Sequence, residues 1–309
     1  MSTNSIILTA KNDKRVEFYD AATHARLAAL DMPAPVHELA LADGKAYGTV
    51  YGGGIFGKNK DPDHRVVVVD LAAREVDGFI DVGTYLAPHG IMFSADGLLW
   101  VTAELNNAIV GIDVTRRKVA ATIDTGGAAH WLTVSPDGRR AYVSHKQTPC
   151  LAVVDLLKRR VTGQVDIPNR CEGVALSQDG ERLYVASHTA AELNVIDTRS
   201  ERLIRSIRIE GGGEDQTQLR RVRISPDERW LLFSSHVDGK VAIFSLPGLE
   251  QTALIPVGKA PMGFGFPADA DRALVCNHDD GIVSVLDLAA GTITASFATG
   301  NGCEFVEYY

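Results

Sequence analysis

APHGIMFSADGLLWVTAELNNAIVGIDVTRRKVAATIDTG, residues 87 to 126, is one copy of a unit that returns along the whole chain. Aligned on its tight turn, APHGIMFSADG closes at Gly97, AAHWLTVSPDG at Gly138 and RCEGVALSQDG at Gly180, while QLRRVRISPDE reaches the same place at Glu228. Eight residues before each turn stand His89, His130, Glu172 and Arg220. A second strand follows the turn (LLWVTAE, RAYVSHK, RLYVASH), then a third (AIVGIDV, LAVVDLL, LNVIDTR) and a fourth (VAATIDT). A period of roughly 40 to 45 residues built of four short strands and Gly-containing turns is the signature of a propeller blade.

Tyr142-Val143-Ser144-His145, Tyr184-Val185-Ala186-Ser187 and Trp100-Val101-Thr102-Ala103 carry the closer likeness. They resemble the YVTN-repeat seven-bladed β-propeller superfamily, which includes lactonase-like and cytochrome d1-domain-like propellers. The likeness spans essentially the whole chain and implies an all-β fold, a seven-bladed propeller of four-stranded antiparallel blades. Six blades fit between residues 36 and 298. The seventh is expected to combine residues 302–309 as its innermost strand with outer strands from residues 5–30, so that the two ends of the chain close the ring and leave no open sheet edge. Residues 1–309 then form one propeller domain.

The charge balance narrows the partners. A formal net charge of -8 with no basic run argues against nucleic acid, which demands clustered Lys and Arg. No apolar run approaches the roughly 20 residues that span a bilayer, so no membrane is expected. The start MSTNSIILTAKN has no basic segment leading into an apolar one, and four scattered cysteines (150, 171, 276 and 303) suit a reducing compartment, so a cytoplasmic location is expected. There is no GxSxG elbow, P-loop, dinucleotide GxGxxG or CxxC pair.

Two insertions interrupt the repeat, GGGIFGKNKDPDH at 52–64 and IEGGGEDQTQ at 209–218. Both are expected on the face where second strands end and first strands begin. Loops of this composition on a rigid scaffold are where sites are usually built.

Histidine follows the same partition. His37, His89 and His130 begin first strands, and His145, His188, His236 and His278 end second strands; only His24 and His64 fall elsewhere. Around the ring the first-strand positions read His37, His89, His130, Glu172, Arg220, Met262 and Glu304. Three imidazoles with Glu172 or Glu304 match the preferences of a divalent transition metal, whether Zn, Fe, Mn, Ni or Cu. Tyr51, Glu104, His145, His278 and Met262 are candidates for supporting the ligands or touching substrate. His188, His236, Glu172 and Glu304 are candidates for proton transfer, and Arg220 for anchoring an anionic group. The blander reading of a single histidine here is a hydrogen bond between blades, and of Cys171 and Cys303 a small buried apolar residue.

These residues are consistent with a metal-dependent enzyme that hydrolyses, eliminates from or isomerises a small anionic or carbonyl-containing substrate, and related propellers include lactonases, lactonising isomerases and lyases. The alternatives are a metal-handling or a ligand- or protein-binding propeller without turnover, and a redox-metal oxygenase.

Overall fold

The computed structural model describes residues 5–55, 57–211 and 219–309. Most of the second insertion, 212–218, and Phe56 of the first lie outside the described residues. The described chain is all β. In order, the strands are β1 (Ser5–Ala10), β2 (Arg15–Asp20) and β3 (Arg26–Asp31); β4 (Val36–Ala42), β5 (Lys45–Gly53), β6 (Asp61–Asp70) and β7 (Glu75–Asp81); β8 (Pro88–Phe93), β9 (Leu99–Ala103), β10 (Ala108–Asp113) and β11 (Lys118–Asp124). Then come β12 (Ala129–Val134), β13 (Arg140–His145), β14 (Cys150–Asp155) and β15 (Arg160–Asp166); β16 (Cys171–Leu176), β17 (Arg182–Ser187), β18 (Glu192–Asp197) and β19 (Arg202–Arg208). The last are β20 (Leu219–Ile224), β21 (Trp230–Ser235), β22 (Lys240–Ser245) and β23 (Glu250–Pro256); β24 (Pro261–Gly265), β25 (Arg272–Asn277), β26 (Ile282–Asp287) and β27 (Thr292–Ala298); and β28 (Cys303–Tyr308).

Each group of four forms one antiparallel meander. The seventh sheet has the order β28-β1-β2-β3, with Ile6 opposite Tyr308 and Leu8 opposite Val306, so the carboxy-terminal strand completes the amino-terminal blade. The fold is a seven-bladed β-propeller. No helix among the described residues is long and apolar enough to cross a membrane.

Burial explains why the strands differ in composition. The run Val66-Val67-Val68-Val69 in β6 is wholly buried, because a middle strand is covered on both faces and reads as continuous hydrophobicity rather than alternation. The fourth strands alternate instead: in β11 only Ala121 and Ile123 are buried. Each buried Val, Leu or Ile contributes about 1.5–3 kcal/mol relative to exposure.

The chain divides into two compact units. The mid-chain unit comprises Ala34–Val185 and Asn194–Arg205; the terminal unit comprises Met1–Pro33, Ala186–Leu193 and Ser206–Tyr309. In the mid-chain unit the core lies between successive blades. Tyr47, Val66 and Ile80 meet Leu99, Val101 and Val110. Trp100 and Ile109 meet Val143 and Val154, and Tyr142 and Val153 meet Leu183 and Val185. In the terminal unit, Val241 and Ile243 pack on Phe264 and Leu286, and Leu274 and Val283 pack on Leu8 and Val306.

The Asp-Gly turns are fixed by their own serines. Ser94, Ser135, Ser177 and Ser225 donate to Asp96, Asp137, Asp179 and Asp227 at 2.5–2.6 Å. Gly97, Gly138 and Gly180 follow with φ between +69° and +84°, and Glu228 occupies the same left-handed position at φ +54°.

The first insertion departs from the loose loop that its composition suggests. β5 and β6 continue pairing into it, Gly52 opposite Pro62 and Gly53 opposite Asp61, and Asn59 donates to the Tyr51 carbonyl at 3.0 Å. His64 therefore lies within a strand, where its Nε2 is 3.8 Å from Asp81.

Glycines mark where first strands crowd one another. A Cβ on Gly263 would lie 2.3 Å from the Glu304 carbonyl oxygen, which is backbone and cannot swing away. Gly263→Ala is expected to cost about 1–3 kcal/mol, read as a lowered midpoint in thermal unfolding, whereas alanine at Gly53, which has open space, should leave the midpoint unchanged.

Candidate functional site

The first strands of blades one, two, three, five and six begin with a bulge. In blade one Val36 pairs with Val50 and Leu39 with Gly48, so three steps on β4 answer two on β5; Pro88/Ile91 on β8 and Ala129/Leu132 on β12 repeat the shift. A bulge inserts an unpaired residue and re-aims side chains. The bulged residues here are His37-Glu38, His89-Gly90 and His130-Trp131.

A hydroxyl on the second strand holds each bulge to the next blade. Thr49 Oγ1 accepts from the Glu38 N–H at 3.1 Å and donates to the His89 carbonyl at 2.9 Å. Thr102 Oγ1 accepts from Gly90 N–H at 2.8 Å and donates to the His130 carbonyl at 2.9 Å. Ser144 Oγ accepts from Trp131 N–H at 3.1 Å and donates to the Glu172 carbonyl at 2.9 Å. Three successive site residues are thereby held in one register.

The result in the mid-chain unit is a row of buried imidazoles. The His37 and His89 ring centroids are 4.2 Å apart and those of His89 and His130 are 4.0 Å apart. His37, Glu38 and His89, all buried, each bring one donor atom within 4.8 Å of the others. Glu38 is the member that period-two reading misses: strict alternation sends it to the opposite face from His37, and the bulge breaks that alternation. His37 Nδ1 lies 3.3 Å from Glu38 Oε1, and the Tyr51 ring stands edge-on to both histidines at 5.2 and 5.8 Å.

His130 is placed differently from its two neighbours. Its Nδ1 meets Glu104, and its Nε2 lies 2.9 Å from Glu172 Oε1. Lys146 Nζ bonds the other Glu172 oxygen and is 3.3 Å from His130 Nε2. Tyr51 donates to Glu104 at 2.5 Å. Tyr51, Glu104, His130, Glu172 and Lys146 thus form one continuous chain of hydrogen bonds, and neither His130 nitrogen can ligate a metal without giving up one of these bonds. Burial opposes ionisation of Glu104, but His130, Tyr51 and Lys146 outweigh it and hold the carboxyl below the usual range.

The other candidates lie elsewhere. His145 is 4 % exposed, its ring packed over Gly127 and its Nδ1 3.5 Å from Cys150 Sγ, and burial lowers its pKa. In the terminal unit, Glu304 receives Lys11 at 3.2 Å and His278 Nε2 at 3.3 Å, while His278 Nδ1 faces Asp279 at 2.7 Å. Burial lowers the His278 pKa, but Glu304 and Asp279 more than reverse this and raise it. Met262 is packed in the apolar cluster with Cys276 and Cys303. His236 lines a cleft of about 590 Å³ together with Asp238, Lys259, Asp279 and Asp280. Arg220 is the second residue of β20, the first strand of blade five, and His188 follows β17. Of the two histidines outside the pattern, His24 stacks on Phe297 at 4.6 Å.

Two outcomes follow from this geometry. Thr102→Val strips partners from the buried Gly90 N–H and His130 carbonyl and is expected to cost about 1–3 kcal/mol, with Thr102→Ser restoring most of it in denaturant unfolding. Glu104 has a folded pKa below its unfolded value near 4.5, so its contribution is present above that pH and is lost as pH falls through the folded value. Acid unfolding of Glu104→Gln should accordingly show a shallower loss of stability below about pH 4.5 than the wild type.

The sequence matches a YNCE-like β-propeller over residues 46–215, more than half of the chain. No curated protein resembles it closely enough to count as a match. Among solved structures it is similar to "Kuenenia stuttgartiensis Hydrazine Synthase", at a TM-score of 0.75 and 18% identity over 94% of this chain and 92% of that one. It is similar also to "Dihydro-heme d1 dehydrogenase NirN in complex with DHE", at a TM-score of 0.70 and 14% identity over 98% of this chain and 75% of that one. At such identities these likenesses speak for the propeller fold alone. With the four-strand repeat, the closing strand and the match over residues 46–215, the chain belongs to the YNCE-like β-propeller family.

Proposed function

We propose that the protein binds a divalent transition metal through His37, Glu38 and His89 and acts there on a small anionic or carbonyl-containing substrate. The observation that carries this reading is the gathering of two imidazoles and a carboxylate, all buried, within 4.8 Å. Two histidines and one glutamate suit Zn, Fe, Mn, Ni or Cu, and a three-ligand set leaves a position open for water or substrate. Bound there, the metal supplies Lewis acidity toward a carbonyl oxygen or water.

The chain's own residues divide the remaining work. Thr49 fixes the backbone on which Glu38 and His89 sit, and Tyr51 packs its ring against His37 and His89. Glu104 and Glu172 hold the His130 ring at both nitrogens, so that His130 relays a proton between the two carboxylates. Lys146, half-buried beside Glu172, places positive charge where an anionic group would approach. Relative to the expected set of His37, His89 and His130 with Glu172 or Glu304, this assignment keeps His37 and His89 and puts Glu38 in place of the rest.

A metal-binding protein without turnover is the second reading, favoured by the engagement of both Glu172 oxygens with His130 and Lys146, which ties that carboxylate to the protein's own cations.

Elemental analysis of the purified protein before and after chelation, followed by Co(II) titration, tests the site. The expected result is one metal per chain, with loss of at least tenfold in affinity for His37→Ala, Glu38→Gln and His89→Ala. His130→Ala should retain the metal. A protein without stoichiometric metal that also takes up no Co(II) ends the proposal; metal retained by His89→Ala ends this ligand assignment.

A further inference from the structure

The hydroxyl that bridges blades is replaced at two places, by Ala186 in blade four and by a thiol in blade six. Thr49, Thr102 and Ser144 occupy corresponding positions in their second strands, two residues past Tyr47, Trp100 and Tyr142. In the terminal unit the same place is held by Ser234, which accepts from Arg221 N–H at 3.0 Å, and by Thr9, which accepts from Phe305 N–H at 3.1 Å. In blade six it is Cys276. A residue at this place faces the start of the next blade's first strand, as Ser144 faces Glu172. For Cys276 that strand is β28, whose opening residue is Cys303.

Cys276 and Cys303 lie together in one apolar cluster with no exposed surface, and hydrogen bonding toward the Cys276 side chain lowers the Cys303 pKa. Cys303 Sγ also donates to the Ile282 carbonyl at 3.6 Å, beside Val283, which pairs with Cys276 across β25 and β26.

We propose that Cys276 and Cys303 are a peroxide-sensitive thiol pair that closes to a reversible disulfide between blade six and the carboxy-terminal strand. Cys303 sulfur, as thiolate, attacks one oxygen of a hydroperoxide; the O–O bond breaks, giving a sulfenic acid and releasing water or an alcohol once the leaving oxygen is protonated. The Cys276 thiol then attacks the Cys303 sulfur, the S–O bond breaks, and water leaves with the thiol proton. Two thiols lose two electrons and two protons, and the peroxide is reduced.

The other cysteines provide an internal contrast. Cys171 has the place in blade four that Cys303 has in blade seven, immediately before a glutamate, but the residue across from it is Ser144. Its Sγ turns to the Cys150 carbonyl at 3.7 Å, and Cys150 Sγ turns to Thr148 at 3.3 Å and His145 at 3.5 Å. Among the described residues no hydrogen bond joins these two thiols.

Closing the pair ties the last strand to its neighbour blade and restricts the unfolded chain, so the oxidised protein should melt several degrees higher. The test treats the native full-length protein with hydrogen peroxide, blocks remaining thiols with a maleimide after unfolding, and maps peptides by mass. Trypsin leaves both cysteines on one peptide, 273–309, which contains no Lys or Arg, and cleavage at aspartate separates them. The expected product is that peptide two hydrogens lighter and unlabelled, split into a disulfide-linked pair at aspartate and restored by dithiothreitol, while Cys150 and Cys171 label fully. Cys276→Ser, which installs the residue found at this place in blades three and five, should fold normally and carry Cys303 no further than sulfenic or sulfinic acid. Oxidation of Cys303 to sulfinic acid in the wild type with Cys276 still labelled, a link through Cys150 or Cys171, or full labelling of all four cysteines overturns the proposal.

Discussion

One hydrogen-bonding device sets the geometry on which the candidate site depends. A hydroxyl in the second strand takes the amide proton of its own blade's bulge and gives its own proton to the carbonyl of the next blade's site residue. Thr49, Thr102 and Ser144 do this at nearly identical distances. Because donor and acceptor are both buried backbone groups, the bridge cannot be traded for water without cost. It converts a loose stack of sheets into a register, and the imidazoles of His37, His89 and His130 fall into a row 4.0–4.2 Å apart as a consequence.

The bulge that opens a first strand performs the complementary task. It lifts the residue after the histidine out of the alternating pattern, which is how Glu38 comes to share a cluster with His37 and His89 rather than pointing into the space between blades. In blade two the same place is Gly90, where a Cβ would stand 3.1 Å from the His130 carbonyl. The device recurs in blades one, two, three, five and six; the side chain it presents is particular to each.

Charge separates the row into two parts. His130 is enclosed by carboxylates on both sides, with Lys146 and Tyr51 at the ends of the chain of hydrogen bonds, so this part is internally compensated. His37 and His89 stand with Glu38 alone among the clustered donors, which makes that part the better candidate for a cation. The terminal unit repeats the compensated arrangement with Lys11, Glu304 and His278. A carboxylate buried at a strand start is therefore met by a protein cation at Glu172 and at Glu304, as the cost of burying charge requires.

The sequence by itself determined the repeat, the four strands of each blade and the use of both termini in one sheet, because turns, strand lengths and buried valine runs are local patterns with a fixed period. It also determined that histidines gather at the starts of first strands and the ends of second strands. It did not determine what those histidines touch. The pairing of Glu104 and Glu172 with His130 joins residues 26 and 42 positions away, and no local pattern encodes such a contact. Glu38 was concealed by a bulge, Lys146 sits one residue beyond its strand, and the meeting of Cys276 with Cys303 depends on which strand the next blade presents. These were decided by tertiary structure, since a side chain's partners follow from how blades are set side by side, whereas the fold of each blade follows from its own forty residues or so.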